Sequence, residues 1–435
     1  MAQVVLWEEV DSRHSRPVRT AILTVEGSSF TVYRERNRHS LQLWASLTAA
    51  FLPEGYPDSV TSDYLGFQLW DTLQGLSTYI RSMLSTNALL SGIGVGQTTA
   101  TVIGATFQWF LRDFTGMLGG VIFTIFQGSN LDSKAKQWRL AADFMNDIGM
   151  LMDLISPLFP RLFIFILCLG SLARSVTGVA SGATRAALTQ HFALQENAAD
   201  ISAKEGSQET AATLSGMLLG MLLAKLTSGN TVAIWLCFLA LTGFHMFANY
   251  KAVRCLRLTS LNKDRVKIIL KTYLQNGKVL SPADVSTQEI VLPRFSTKFT
   301  GYESLLHKEV TLGAKISTVN VPGGWKNFPE MMKRSATDNY IITHQHREVL
   351  VVLHRNSKRE DYLKSYVHSL VLISLLESLN PEEAEENSFV WMEKKYSIFM
   401  SELGAVGWNV NRIHIVPDKW RAEWHVSAIK DLKVE

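Results

Sequence analysis

Asn197-Ala-Ala-Asp-Ile-Ser-Ala-Lys-Glu-Gly-Ser-Gln-Glu-Thr210 runs without a break into the apolar stretch 211–223. An amide, acids and a lysine at the mouth of an apolar helix need partners, because an unpaired polar group away from water costs several kcal/mol. The segment therefore sits at a water–membrane boundary or lines a polar site. On a helix, Asn197, Asp200, Lys204 and Gln208 fall at i, i+3, i+7 and i+11, which is one face. Asp200 precedes Lys204 by four residues, the favourable order for a helical ion pair. One reading is a stripe that binds an anionic or amide-bearing ligand inside a bundle. The other is a solvated first turn with a surface pair worth a few tenths of a kcal/mol.

A second stripe precedes it. Arg139, Asp143 and Asp147 stand at i, i+4 and i+8. The two carboxylates could hold a divalent cation or a proton, or neutralise the arginine on a helix that caps a bundle. Arg185 is a further candidate for holding an anionic group. The speculative ligand-binding set is thus Arg185, Asn197, Asp200, Lys204, Gln208, Asp143 and Asp147.

The apolar texture extends well beyond this point. Residues 45–250 carry 23 charged side chains, against 48 in residues 251–435. No charge intervenes between Arg81 and Arg112, a run long enough to cross a bilayer. Residues 114–131 form a shorter, glycine-rich run. Residues 148–169 are interrupted by Asp153, Pro157, Pro160 and Arg161 and read as a broken or re-entrant pair. Residues 211–226 and 231–250 flank the turn Ser228-Gly229-Asn230. The pairs Gly92/Gly96, Gly178/Gly182 and Gly216/Gly220 have the spacing that lets helix backbones approach closely. Past Tyr250, the cations Lys251, Arg254, Arg257, Lys263, Arg265, Lys267 and Lys271 face only Asp264, the pattern of a cytoplasmic exit.

The flanks are different. Residues 1–44 read as a soluble arm with a hairpin, its strands 20–26 and 30–35 flanking Gly27-Ser28-Ser29. Residues 40–52 are amphipathic, stopped by Pro53. Beyond 258 the pattern predicts a helix over 262–275 closed by Asn276-Gly277, a strand over 347–354, helices over 359–379 and 381–403, and an ending strand over 412–416. The expected fold is mainly α: a membrane-associated helical bundle over 45–257, followed by a smaller soluble α+β domain over 258–435.

Several function classes recede. A net charge of +4 without aromatic-basic interleaving does not argue for nucleic acid. Three widely spaced cysteines suit a reducing, intracellular setting better than a disulfide framework. The acids Glu8, Glu9 and Asp11 fit neither a secretory signal nor a transit peptide. Gly92-Ile-Gly-Val-Gly96 lacks the dinucleotide spacing. His344-Gln-His346 lacks a third metal ligand, and Lys204 has no phosphate-cradling loop beside it. No nucleophile–base–orienter set can be assembled, so the chain reads as a non-enzyme with no catalytic residues, metal or cofactor.

The combination of segments is more specific than any of them alone. Gly55-Tyr-Pro-Asp-Ser-Val60, Tyr64-Leu-Gly-Phe-Gln-Leu-Trp-Asp71 and Gly92-Ile-Gly-Val-Gly96 come first. Arg112-Asp-Phe-Thr-Gly-Met-Leu-Gly119, Lys136-Gln-Trp-Arg-Leu-Ala-Ala-Asp143 and Asn146-Asp147 follow. Gly182-Ala-Thr-Arg-Ala-Ala-Leu-Thr189 and the opening stretch complete the order. Together they resemble the root UVB sensitive family, a domain-of-unknown-function group of plants and animals. The resemblance implies membrane association and links to UV-B response, early development, vitamin B6 homeostasis and auxin transport. It supplies no catalytic residue to carry over. The expected activity is to bind or move a small polar metabolite, with a B6 vitamer as a candidate ligand, in an intracellular membrane with the C-terminal domain cytoplasmic. The alternative is a membrane-anchored adaptor that binds another family member or a cytosolic protein through residues 258–435.

Overall fold

The computed structural model describes residues 3–11, 16–24, 29–34, 48–93, 102–292, 309–319, 328–334, 338–345 and 348–424. Among them the chain is mainly helical with a few small sheets, in two compact units. The first comprises Met1–Ile125 and Trp138–Leu256, the second Phe126–Gln137 and Arg257–Glu435.

The first unit opens with an antiparallel sheet of β1 (Gln3–Asp11), β2 (Arg16–Thr24) and β3 (Ser29–Arg34). The expected hairpin is β2–β3, closing at Thr24 opposite Ser29; β1 is an added strand that the sequence reading did not anticipate. A helical turn over 48–51 survives from the amphipathic stretch; the residues before it lie outside those described. Six helices follow: α1 (Tyr64–Ile93), α2 (Val102–Gln127), α3 (Ala135–Ile155), α4 (Phe163–Phe192), α5 (Ala198–Leu226) and α6 (Thr231–Cys255). Pro157 and Pro160, each early in a short 3-10 turn, separate α3 from α4, as the proline spacing predicts. Asn230 caps α6 by accepting from the Ala233 N–H at 3.0 Å.

The uncharged run between Arg81 and Arg112 is not one crossing. It contains the second half of α1 and the start of α2, and Arg81 lies near the middle of α1. The reason is packing. α1 is the central strut, lying along both α5 and α6, and it carries polar side chains inward. Among the described residues, the four segments long and apolar enough to cross a membrane are instead Thr106–Gln127, Pro160–Phe192, Ala198–Leu226 and Thr231–Cys255.

Glycines allow one close helix contact. A Cβ on Gly216 would stand 2.6 Å from that of Tyr79, and one on Gly220 would stand 3.0 Å from the Ile80 carbonyl oxygen. The expected small-residue seam therefore joins α5 to α1. The pair Gly178/Gly182 does not act this way, since an added Cβ there meets nothing within 4 Å. An unanticipated contact joins α3 to α4, where Gly149 faces the Gly170 carbonyl. Gly96 lies outside the described residues.

The polarity of this unit is inverted. Met117 and Ile125 on α2 are 72% and 74% exposed, and Leu214, Leu226, Val232 and Leu236 also face outward. Arg81 and His245 are fully buried, with Asp143, Asp147, Arg139, Gln68 and Gln74 buried beside them. A water-soluble bundle has the opposite arrangement.

The second unit is a mixed α/β arrangement. β5 (Glu309–Leu312), β7 (Glu348–Leu353) and β6 (Tyr340–Gln345) form a sheet in the order β5-β7-β6, parallel then antiparallel. β4 (Ser260–Leu261) pairs in parallel with β8 (Asn409–Ile413), so the ending strand forms slightly earlier than its sequence suggests. The helices are α7 (Lys263–Asn276), α8 (Pro282–Gln288), α9 (Phe328–Arg334), α10 (Arg359–Leu375) and α11 (Pro381–Ala405). Asn262 caps α7, and Gly277, at φ 65°, closes it in the left-handed region as its sequence predicts. α10 lies at the centre, with Leu363, Val367, Leu372 and Ile373 buried against the sheet and α11. Glu289 joins Lys136 at 2.7 Å and Arg265 at 2.9 Å. Burial pushes this carboxyl up, but the two cations outweigh it and hold it below the usual range.

Candidate functional site

A polar cavity of about 170 Å³ opens within the first unit. α1 contributes Gln68, Asp71, Gln74, Gly75 and Tyr79, and α3 contributes Arg139, Asp143 and Asn146. α4 supplies Arg185, and α5 supplies Glu205, Gln208, Glu209 and Ala212. The α5 residues fall at i, i+3, i+4 and i+7, and the same face continues into Gly216 and Gly220. That glycine seam holds α5 against α1 at one end, and the polar residues of the same face line the cavity.

The charges are arranged in two layers. In the wall of the cavity, the Arg139 guanidinium bonds Asp71 and stands 3.9 Å from Asp143. Asp143 also accepts from the Asn249 amide at 2.7 Å. Arg185 pairs with Glu209 at 2.7 Å, and Tyr79 donates to the same carboxylate at 3.2 Å. Glu205 accepts from the Gln68 amide at 2.9 Å and the Thr189 hydroxyl at 3.2 Å. Behind the wall, Arg81 donates to Asp147 at 2.6 Å and to the Thr242 hydroxyl at 3.1 Å. His245 Nδ1 faces the other Asp147 oxygen at 3.0 Å, and its Nε2 faces the Gln74 amide at 2.9 Å. Gln74 thus links the inner layer to the cavity. On α3, outside the four long apolar helices, burial pushes the Asp143 carboxyl above its usual range; Arg139 and His245 oppose the shift, and Asp71 and Asp147 add to it.

The residues expected from the sequence divide into three groups. Arg185, Asp143 and Gln208 line the cavity. Asp147 lies one layer deeper, as the common partner of Arg81 and His245. Asn197, Asp200 and Lys204 hold the chain that enters the bundle. Lys204 donates to the Ala49 carbonyl at 2.7 Å, Asp200 accepts from the Glu54 N–H at 2.8 Å, and Asn197 donates to the Ser59 carbonyl at 3.2 Å. Gln208 has both roles, because its amide also donates to the Phe51 carbonyl at 2.7 Å. The Asp200–Lys204 pair forms at 3.4 Å.

Asp71, Gln74, Arg81, Glu205, Glu209 and His245 were not singled out in the sequence. A signal existed for three of them, Asp71, Gln74 and Arg81. Gln68, Asp71, Gln74, Thr78, Arg81 and Ser85 recur in steps of three and four, a polar stripe along one face of α1. His344 pairs with Glu385 at 3.0 Å, and no group of three potential metal ligands converges among the described residues.

Residues 37–277 match the family described as "Vitamin B6 photo-protection and homoeostasis domain". Residues 278–424 match "Root UVB sensitive protein, C-terminal". The chain belongs to the root UVB sensitive family. It is 56% identical to Protein root UVB sensitive 3 of Arabidopsis thaliana over 98% of its own length and 97% of that protein's. It is 47% identical to RUS family member 1 of Dictyostelium discoideum over 58% of this chain and 48% of that one. Protein root UVB sensitive 2, chloroplastic, of Arabidopsis thaliana is 27% identical over 83% of this chain and 81% of its own. No solved structure matches the chain. Every residue of the cavity falls within the first family match.

Proposed function

We propose that the helical unit is embedded in an intracellular membrane and that its cavity binds a small polar metabolite and passes it across. The observation that carries this is the inverted polarity. The same helices that turn Met117, Ile125, Leu214 and Leu226 outward surround a hydrogen-bonded charge network beside the cavity. Ionisable groups inside a membrane bundle are costly and mark solute or proton paths. The cations after Tyr250 favour a cytoplasmic C-terminal unit. The family description makes a B6 vitamer the first candidate solute. The reading requires no bond chemistry, and we read the protein as a carrier or binder rather than an enzyme.

Gly75 provides the test. It lines the cavity, and an added Cβ there meets nothing within 4 Å, so Gly75→Leu brings a bulky side chain to the cavity from an open position. The full chain is expected in the membrane pellet after carbonate extraction. In lipid nanodiscs, wild type should bind tritiated pyridoxine, and Gly75→Leu should bind at least tenfold more weakly while its helical unit keeps the hydrogen-exchange protection of wild type. Release by carbonate, or equal binding by the two proteins, overturns the reading.

A further inference from the structure

The charges around the cavity do not balance, and the imbalance has a location. Four carboxylates line it, from Asp71, Asp143, Glu205 and Glu209, against the guanidiniums of Arg139 and Arg185. Arg139 serves Asp71 and Asp143, and Arg185 serves Glu209. Glu205 has no cationic side chain within 4 Å among the described residues, although it is only 8% exposed. Of its two partners, the Gln68 amide donates to it at 2.9 Å, and the Thr189 hydroxyl lies 3.2 Å away while its one proton is also within reach of the Arg185 carbonyl at 3.0 Å. The amide N–H can only donate, so Glu205 presents at least one oxygen as an acceptor there. A buried charge without a counter-charge costs several kcal/mol. One turn further along α5, Gln208 commits its amide nitrogen to Phe51, so its buried Oε1 is left as a free acceptor beside the same space.

We propose that the cavity selects a small organic cation, a molecule bearing a protonated amine, and that Glu205 is its counter-ion. This rests on the solute-binding role proposed above and specifies its charge class. The ammonium group donates to Glu205 and to the Gln208 carbonyl, supplying the charge and the hydrogen the site lacks. Anions, including a phosphomonoester, meet the uncompensated carboxylate of Glu205 and are excluded. The sign is opposite to that of the anion-binding stripe suggested by Lys204 and Arg185 in the sequence. Lys204 is committed to Ala49 and Arg185 to Glu209, so neither cation is free to receive an anion.

The test uses three probes of one shape and different charge, namely benzylamine, benzyl alcohol and benzoate, with the full chain in nanodiscs at pH 7. Benzylamine should bind most tightly and benzoate not at all. Glu205→Gln should weaken benzylamine at least tenfold and leave benzyl alcohol within twofold. Arg185→Gln, at a half-exposed position that tolerates change, should tighten benzylamine severalfold. A merely structural role would not move the two variants in opposite directions, and Arg185→Gln carries the test if Glu205→Gln does not fold. Benzoate binding as tightly as benzylamine overturns the proposal. So does a Glu205→Gln protein that binds benzylamine like wild type, since the carboxyl is then satisfied by a proton. If pyridoxine fails to bind while the amine behaves as stated, the B6 assignment falls and the charge selection stands. If pyridoxine binds but amine and alcohol are treated alike, the charge selection falls and solute binding stands.

Discussion

Arg81→Met isolates the inner charge layer. Arg81 is fully buried, its guanidinium 2.6 Å from Asp147, and Asp147 is 5% exposed. Methionine keeps much of the unbranched apolar stem, so the change removes charge rather than volume. It leaves Asp147 ionised and buried with only His245 and distant charges nearby. Removing one partner of such a pair costs about 3–5 kcal/mol, because the other charge stays uncompensated. Adding Asp147→Asn removes that charge and keeps an oxygen that can accept from His245 Nδ1. The double variant should therefore recover at least half of the loss, and a stabilising double substitution is possible on the same principle. The chain has two units, so a single melting temperature is a poor measure. Hydrogen exchange of the full chain in nanodiscs, read at amides of residues 77–90 and 143–154, reports the local free energy directly. A loss below about 1 kcal/mol in the single variant, or a double variant no more stable than the single, refutes the reasoning about an uncompensated buried charge.

Three further outcomes follow from other parts of the molecule. Gly216→Leu must drive a side chain into the backbone of α1 and should cost about 1–3 kcal/mol or more in detergent unfolding, whereas Gly178→Leu, which meets no neighbour, should cost nothing. Lys204→Met removes the bond to the Ala49 carbonyl; residues 48–54 should exchange at least tenfold faster, and solute binding in the cavity should stay within twofold. In the second unit, burial depresses the His368 pKa to about 3, with Lys364 adding to the shift. A depressed folded pKa means that the unfolded chain binds the proton first. Stability is full above the ordinary value of about 6.5 and falls by about 1.4 kcal/mol per pH unit below it, until pH 3. Exchange protection of residues 363–373 should drop by about 3 kcal/mol between pH 7.5 and 4.5, and His368→Asn should remove that dependence; an equal drop in the variant would show that another group is responsible.

Helix identity was legible wherever a local rule was enough. Asn262 and Gly277 bound α7, Asn380 caps α11, and Pro157 and Pro160 break the chain between α3 and α4. The end of α1 was not legible. A stretch without charges says nothing about where it bends, and Arg81 looked like the edge of a membrane span until its partner Asp147 was placed beside it. The stripe on α5 shows the limit most clearly. Asn197, Asp200, Lys204 and Gln208 do share a face, and all four spend it on the incoming chain, at Ser59, Glu54, Ala49 and Phe51. Glu205 is the immediate neighbour of Lys204, about 100° further round the helix, and that rotation turns it into the cavity.

The sequence by itself determined the family, the helical class, the caps and breaks, and the presence of polar stripes on apolar helices. These depend on neighbours within a few turns, where covalent geometry and helical period fix what is near what. The tertiary structure decided what each stripe meets. Arg81 finds Asp147 66 residues away, and Gln74 finds His245 171 residues away. The close seam of Gly216 and Gly220 on α1 brings α5 into position beside them. Electrostatic balance is a sum over such distant pairs. The unmatched charge of Glu205 therefore exists only in the folded bundle, and no window of the sequence contains it.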